Sequence, residues 1–360
     1  MIPQSLRPLV ARIDSAALAH NLGVAKRLAG QARVLAVVKA NGYGHGLARV
    51  AHALRAADGF AVLSLDEAAI LRGLGFSHPI VLLEGFFHAD ELPEIARRHL
   101  IPVIHREDQI EALARMKGDA RVDVYLKLDT GMHRLGFPGK RFVAALERLR
   151  TLPQIGQITL MSHFACADEE AIGITDPLAR FNATCTGLDY PVSLANSAAL
   201  FRYPESHRDW VRPGIMLYGG SPFSGLTGAD LGLLPAMRLE SQIIAIQTVR
   251  KGEGIGYGHR FVAPRDIRVG IVACGYADGY PRHADTGTPV AVAGQPTRTL
   301  GRVSMDMLFV DLSELPSAHI GSPVTLWGDG VPVDMVAEAA GTIAYELLTA
   351  LAPRVRILAE

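Results

Sequence analysis

Short apolar runs alternate with longer stretches of helical periodicity over the first 235 residues of the chain. The apolar runs predict eight strands, at residues 33–40, 59–65, 79–85, 101–105, 122–130, 157–165, 191–198 and 211–219. Between them, segments such as DEAAILRGLG, DQIEALARM and FVAALERLRT place apolar residues at helical spacing. Eight strands separated by helices are typical of a buried parallel sheet, and eight is the number that closes a TIM-type (β/α)8 barrel. The helical segment SAALAHNLGVAKRLAG precedes the first of these strands.

The pattern changes near residue 236. Short β-rich runs follow, divided by Gly, Pro and Asp turns at intervals of roughly ten residues, which is typical of a small all-β domain. They are ESQIIAIQTVRK, IRVGIVACGY, TPVAVAGQPTRTLGRV, MLFVDLS and SPVTLWG, and a last helical segment reads VDMVAEAAGTIAYELLTALA. We therefore predict a barrel over residues 1–235 and a C-terminal mainly-β domain over residues 236–360. An open doubly wound sheet is the alternative for the first part, but no GxGxxG motif opens a helix after the first strand.

Composition narrows the class of protein. Thirty-six basic residues balance thirty-six acidic residues, so the sequence carries no nucleic-acid or membrane-surface signature. Cys166, Cys185 and Cys274 have neither disulfide-framework nor metal-ligand spacing, and we expect no metal site. The N-terminus lacks the features of a signal peptide, and no apolar run approaches the roughly 18 residues of a membrane span. We expect a soluble cytoplasmic protein.

Candidate catalytic residues lie at the predicted C-terminal ends of the strands, where barrel enzymes carry their chemistry. The residues at these ends include one lysine, one histidine and two arginines, together with Ser and Gly, which suit a phosphate. The full set is Lys39, Asp129, Met132, Arg134, His163, Asn196, Ser197, Arg212, Pro213, Gly214 and Ile215. Lys39 stands in AVVKANGYGHG at residues 36–46. A lysine at a strand tip is usually just exposed, but in a barrel mouth burial and nearby cations lower its pKa. Such an amine can form a Schiff base with an aldehyde cofactor.

AVVKANGYGHG resembles the cofactor-lysine motif of alanine racemases, which are fold-type III pyridoxal phosphate enzymes. The resemblance extends over essentially the whole chain, in family order, through VLLEGFF, KLDTGMHRLGF, MSHFACAD, VRPGIMLYG, GYGHRF, GYADGYPR, GRVSMDM and AYELLTAL. It implies an N-terminal barrel, a C-terminal β domain and a head-to-tail homodimer with shared active sites. It also implies pyridoxal 5′-phosphate as cofactor and alanine as substrate.

The resemblance implies a role for each matching residue. Lys39 would carry the cofactor and act as the base on the D-alanine side, and Tyr257 of the partner subunit would act on the opposite face. The residues implied to bind the cofactor are Lys39, Tyr43, His163, Asn196, Ser197, Arg212, Gly214, Ile215 and Tyr345. Arg134 and Met305 would contact the substrate, and Tyr276 and Asp306 would line its entrance. Several family members carry a carbamylated lysine at the position of Lys127, and we expect this modification here.

Arg212 would face the pyridine nitrogen of the cofactor, where its fixed charge opposes protonation of the ring. Read without the resemblance, several of these residues have plainer interpretations. Tyr257 would be a tyrosine in a glycine-rich turn, Tyr345 a residue at the edge of the core, and His163 a core histidine. His45 gains no role in either reading.

Three other functions remain open at this point. A fold-type III decarboxylase would pair the ring nitrogen with an acidic residue where Arg212 stands. A broad-specificity racemase is usually exported, and this sequence shows no export signal. A non-catalytic pyridoxal phosphate-binding protein has the barrel alone, which disagrees with the predicted β domain and with Tyr257.

Overall fold

The computed structural model describes residues 7–359, which form two compact units. The barrel unit comprises residues 21–42 and 46–217, and the β unit comprises residues 7–20, 43–45 and 218–359. No helix within this part of the chain combines the length and the hydropathy that a membrane span requires.

The barrel unit contains eight parallel strands that close on themselves, and the predicted TIM-type barrel is confirmed. The first strand of the chain, β1 (Val10–Ile13), belongs to the β unit. The barrel strands are β2 (Arg33–Val37), β3 (Gly59–Val62), β4 (Ile80–Leu82), β5 (Leu100–Ile104), β6 (Val122–Lys127), β7 (Ile155–Met161), β8 (Val192–Ser193) and β9 (Trp210–Val211). Every predicted strand overlaps an observed one. Seven observed strands are shorter than predicted, and β5 has the predicted length but begins one residue earlier.

Helices connect the barrel strands. They span Ser15–Ala29, Leu47–Ala53, Leu65–Gly73, Leu92–Arg97, Glu107–Ala114, Gly139–Arg150, Thr175–Thr184 and Ser197–Arg202. The helix Gly139–Arg150 shows why these segments fold as they do. It buries Phe142, Leu146 and Leu149, which recur at three- and four-residue spacing on one face, while its charged residues point outward.

The β unit is built on an eight-stranded sheet in the order β13-β16-β15-β14-β17-β10-β1-β18. Its strands are β10 (Met237–Val249), β13 (Ile267–Val272), β14 (Pro289–Val292), β15 (Gln295–Leu300), β16 (Leu308–Asp311), β17 (Pro323–Trp327) and β18 (Arg356–Ala359), with a separate small pair of β11 (Gly254–Ile255) and β12 (Phe261–Val262). β10 also pairs with β13 after a register shift at Ile243–Ala245, so six strands form a ring. Trp327 is completely buried in this unit.

Two features of the β unit differ from the sequence-based expectation. β1 and β18 were not predicted as strands; they pair in parallel, with Val10 opposite Arg356. The last helical segment is divided into Val333–Ala339 and Ala344–Thr349. Gly341 has φ +65° between them, a left-handed conformation that ends a helix at little cost for glycine.

Candidate active site

Lys39 lies two residues beyond the end of β2, at the carboxyl end of the barrel. The backbone leading to it is fixed by its neighbours: the N–H of Val38 donates to the carbonyl of Ala61 at 2.9 Å. The side chain is half-buried. Burial, followed by the charge of Arg134, lowers the pKa of its amine, while Glu84 and Glu67 raise it. The sequence placed Lys39 within a strand; in the structure it opens a tight turn.

The turn after Lys39 has an unusual backbone. Ala40, Asn41, Gly42 and Tyr43 all have positive φ, at 54°, 54°, 63° and 49°. This is one turn of left-handed helix, and it costs about 1–2 kcal/mol for each residue other than glycine. Three of the four residues carry a Cβ, so the turn is not built from glycine alone. Strain of this kind collects at functional sites.

Arg212 is buried directly after β9, with 4% of its surface exposed. Its guanidinium donates to the hydroxyl of Ser193 and the carbonyl of Ser162, both at 2.8 Å, and to the carbonyl of Leu194 at 3.1 Å. It also donates to Nδ1 of His163 at 3.2 Å. Burial lowers the pKa of Arg212 to about 10, so the group stays charged near neutral pH.

His163 follows β7 and is neutral in this environment. Burial, followed by the charges of Arg212 and Lys127, lowers its pKa well below the usual value. Because Arg212 can only donate, Nδ1 of His163 is the acceptor and its proton lies on Nε2. Nε2 of His163 is therefore a hydrogen-bond donor on the side of the ring away from Arg212.

Lys127 and Arg134 add two more cations to the barrel unit. Lys127 ends β6 and is buried, and its pKa is lowered to about 8 by burial and then by Arg212 and Arg134. Arg134 is exposed on the loop after β6. Asp129 fixes that loop by accepting from the backbone N–H of Gly131 and of His133, both at 3.0 Å.

Ser197 and Gly214 meet at the ends of β8 and β9. The N–H of Gly214 donates to the Ser197 hydroxyl at 2.8 Å, and both residues are buried. Asn196 caps the helix that begins at Ser197, since its side-chain oxygen accepts from the N–H of Ala199 at 3.0 Å. Ile215 opens the short 3-10 turn that follows. The structure thus brings these four predicted residues together.

Tyr43 and Tyr345 lie together in the β unit, with ring centroids 6.1 Å apart. Tyr43 stacks on Tyr218 with ring centroids 4.4 Å apart. The ring of His45 also packs against Tyr218, with centroids 4.8 Å apart. His45 also contacts the carbonyl of Tyr43 through Nδ1 at 2.8 Å. His45, for which no role was predicted, is therefore part of the packing around Tyr43.

Tyr257 lies in the loop between β11 and β12, in the short turn Tyr257–His259. The flanking glycines Gly256 and Gly258 have φ of 66° and 72°. The side chain of Tyr257 is 72% exposed, an unusual amount for a large aromatic residue. Met305, the expected substrate contact, is also exposed.

Asp278 organises the part of the β unit that carries the expected substrate entrance. Its buried carboxylate accepts from Arg7 at 2.6 and 2.9 Å and from Arg354 at 2.7 Å. Arg354 also binds the carboxylate of Asp306 at 2.7 Å, and the N–H of Tyr276 donates to a carbonyl of the neighbouring loop at 3.0 Å. The two entrance loops are thus tied to one buried charge. This network could not be predicted from the sequence, because its partners lie far apart along the chain.

Comparison with known proteins identifies the family. The profile of the alanine racemase N-terminal domain matches residues 13–222, and that of the alanine racemase C-terminal domain matches residues 236–359. The chain belongs to the alanine racemase family. The fold and the family are those that the motifs predicted.

Individual alanine racemases match over nearly their whole length. That of Nitrosospira multiformis is 56% identical over 352 residues, covering 97% of this chain and 99% of that protein. The catabolic alanine racemase of Klebsiella aerogenes is 53% identical over 353 residues, covering 98% and 99%. The crystal structure of the biosynthetic alanine racemase from Pseudomonas aeruginosa superimposes with a TM-score of 0.96 at 50% identity, covering 99% of this chain and all of that one.

Proposed function

We propose that the chain interconverts L-alanine and D-alanine, with pyridoxal 5′-phosphate as cofactor and with Lys39 and Tyr257 as the two bases. The observation that supports it best is the environment of Lys39. The amine is half-buried at the carboxyl end of a barrel strand, and burial followed by the charge of Arg134 lowers its pKa, which favours its use as a base. Family membership supports the same reaction.

The charges of the barrel unit suit this cofactor. Four cations lie close enough to lower the pKa of one another or of His163: Lys39, Lys127, Arg134 and Arg212. Together they form one region of positive charge. A phosphate, a phenolate and a substrate carboxylate are all anions that such a region would bind. When bound, the cofactor supplies an aldehyde for the lysine and a conjugated ring that withdraws electrons from the substrate α-carbon.

We propose a role for each of the main candidate residues of the barrel unit. The Ser197 hydroxyl and the Gly214 N–H would hold the phosphate, and Arg134 would orient the substrate carboxylate. Arg212, kept charged and fixed by four hydrogen bonds, would donate to the ring nitrogen and oppose its protonation. The phosphate contacts expected of Tyr43, Ile215 and Tyr345 stay predictions.

Racemisation needs a base on each face of the substrate, because a single base would return most protons to the face they left. Lys39 would hold the proton on one face and the Tyr257 hydroxyl on the other. The high exposure of Tyr257 and Met305 supports a head-to-tail homodimer in which each subunit offers these side chains to its partner. Relatives are named both biosynthetic and catabolic, and interconversion of the two alanine enantiomers is the reaction common to both.

Two measurements test the function. The purified protein should show a visible absorbance band that borohydride removes, and circular dichroism should follow L-alanine to the racemate. Tyr257→Phe should keep the band and lose most racemisation, while Tyr190→Phe, a partly buried barrel tyrosine, should keep both. Full activity of Tyr257→Phe would refute the two-base assignment, and absence of the band would refute the cofactor.

A further inference from the structure

Glu67 links the carboxyl ends of two neighbouring barrel strands. One carboxylate oxygen accepts from the backbone N–H of Asn41 at 3.2 Å, in the turn after β2, and the other accepts from the N–H of Leu63 at 3.0 Å, directly after β3. β2 and β3 are adjacent and parallel. A single side chain therefore fastens the segment that follows Lys39 to the next strand of the barrel.

This segment needs to be held. Its left-handed backbone is unfavourable for Ala40 and Asn41, and such a conformation persists only where the surroundings fix it. Asn41 supplies part of the fixation, because its side-chain oxygen accepts from the N–H of Leu47 at 2.9 Å and its carbonyl accepts from that of Gly46 at 2.9 Å. Glu67 adds a contact from a separate element of the barrel unit, the helix Leu65–Gly73.

We propose that Glu67 is a positioning residue for Lys39, and that its carboxylate sets the direction of the lysine side chain by anchoring the left-handed turn to β3. This inference rests on the proposed role of Lys39. One carboxylate oxygen binds the turn and the other binds the residue after β3, so a single side chain fixes the turn relative to β3. A misplacement of about 1 Å at a reacting group costs up to a hundredfold in rate.

A plainer role for Glu67 is to stabilise its own helix, Leu65–Gly73. Its backbone N–H contributes to the helix cap, since it donates to the hydroxyl of the N-cap residue Ser64 at 3.3 Å. In an ordinary capping box the glutamate side chain would turn back to the N-cap residue. Here the two carboxylate oxygens bind residues that precede the helix or lie outside it.

A second plain role is a charge effect, because Glu67 raises the pKa of Lys39. Glu84 also raises this pKa, and its effect is larger than that of Glu67. Glu84 is therefore a matched control for charge, and Ser64 is a matched control for helix capping. Glu67→Asp separates charge from reach, since it keeps the carboxylate but shortens the side chain by one methylene.

The experiment compares Glu67→Gln, Glu67→Asp, Glu84→Gln and Ser64→Ala in the full-length protein, after far-UV circular dichroism has confirmed folding. We expect kcat for alanine to fall by about tenfold or more in both Glu67 variants, with KM changed by less than about threefold. Glu84→Gln and Ser64→Ala should stay within about threefold of the parent in kcat. A fall in Glu84→Gln that matches Glu67→Gln, or Glu67→Asp at parental kcat, would overturn the positioning role.

Amide hydrogen exchange of the cofactor-free protein gives a readout that does not depend on activity. The amides of residues 40–43 should exchange faster in both Glu67 variants and at the parental rate in Ser64→Ala. Unchanged exchange in the Glu67 variants would refute the anchor, even with reduced activity. If the parent protein had no racemase activity, the proposed function would fail while faster exchange would still support the anchor.

Discussion

Lys127 should react with carbon dioxide. It ends β6 with 5% of its surface exposed, and burial together with Arg212 and Arg134 lowers its pKa to about 8. At pH 7.5 about a quarter of such amines are uncharged, against roughly one in a thousand for an ordinary lysine. Carbon dioxide reacts with the uncharged amine, and the carbamate formed is an anion beside two arginines. The product removes one buried cation and adds a partner for the others.

The assay uses ¹³C-labelled bicarbonate and protein freed of carbon dioxide under nitrogen at mildly acidic pH. We expect one protein-bound carbamate carbon in the NMR spectrum, absent from Lys127→Met. At fixed dissolved carbon dioxide its rate of formation should rise about fivefold from pH 7 to 8 and level off above pH 9, following the uncharged fraction. A rate that continues to rise through pH 10, or the absence of a bound carbon, would refute the reasoning.

The lowered pKa of Lys127 also sets a stability trend in protein free of carbon dioxide. The amine titrates near 10.5 in the unfolded chain and near 8 in the folded protein. Between these values the unfolded state binds more protons, so the unfolding free energy rises with pH. Between pH 8 and pH 10 the rise amounts to about 2 kcal/mol for this group. Urea unfolding at pH 8 and pH 10 should show it in the parent protein and not in Lys127→Met.

Three further substitutions test features of the two units. Arg212→Gln should lower the unfolding free energy by about 2–4 kcal/mol, because buried acceptors lose their donor. It should also raise the pKa of His163 in an NMR titration, and an unchanged pKa would contradict this. Gly44→Ala should lower the unfolding free energy by about 2–4 kcal/mol, since the added Cβ would overlap a backbone carbonyl. Gly30→Ala, also at positive φ but in open space, should lower it by about 1 kcal/mol. Equal losses of unfolding free energy in calorimetry would count against the overlap. Asp278→Asn should cost about 2–4 kcal/mol in urea unfolding and raise KM for alanine, and a parental KM would separate the network from the substrate entrance.

The sequence predicted the barrel because its signal is local and repeated. Each strand is a short apolar run bounded by helical periodicity, so uncertain boundaries at 211–219 or 191–198 did not change the count of eight. β1 and β18 were missed for the opposite reason. Each is four residues long near an end of the chain, and what makes it a strand is a partner at the other end.

The candidate site divides in the same way. Lys39 and Arg212 were found because their residue types are unusual at strand ends, and family motifs located Tyr257 and Tyr345. The left-handed turn was not foreseen, since Ala40 and Asn41 have no special preference for it that outweighs its cost. Such a conformation is imposed by contacts from elsewhere, and those contacts are invisible in the local sequence.

The parallel pair of β1 and β18 has a consequence for shortened forms of the protein. β18 pairs with one edge of β1, and β10 pairs with the other edge. Removal of β18 would therefore leave one edge of β1 without a partner, while the barrel strands would keep all of theirs. An open strand edge is a site for unwanted pairing with other chains. The four residues of β18 thus protect the β unit from aggregation, and a chain that lacks residues 356–359 should aggregate more readily than the parent protein.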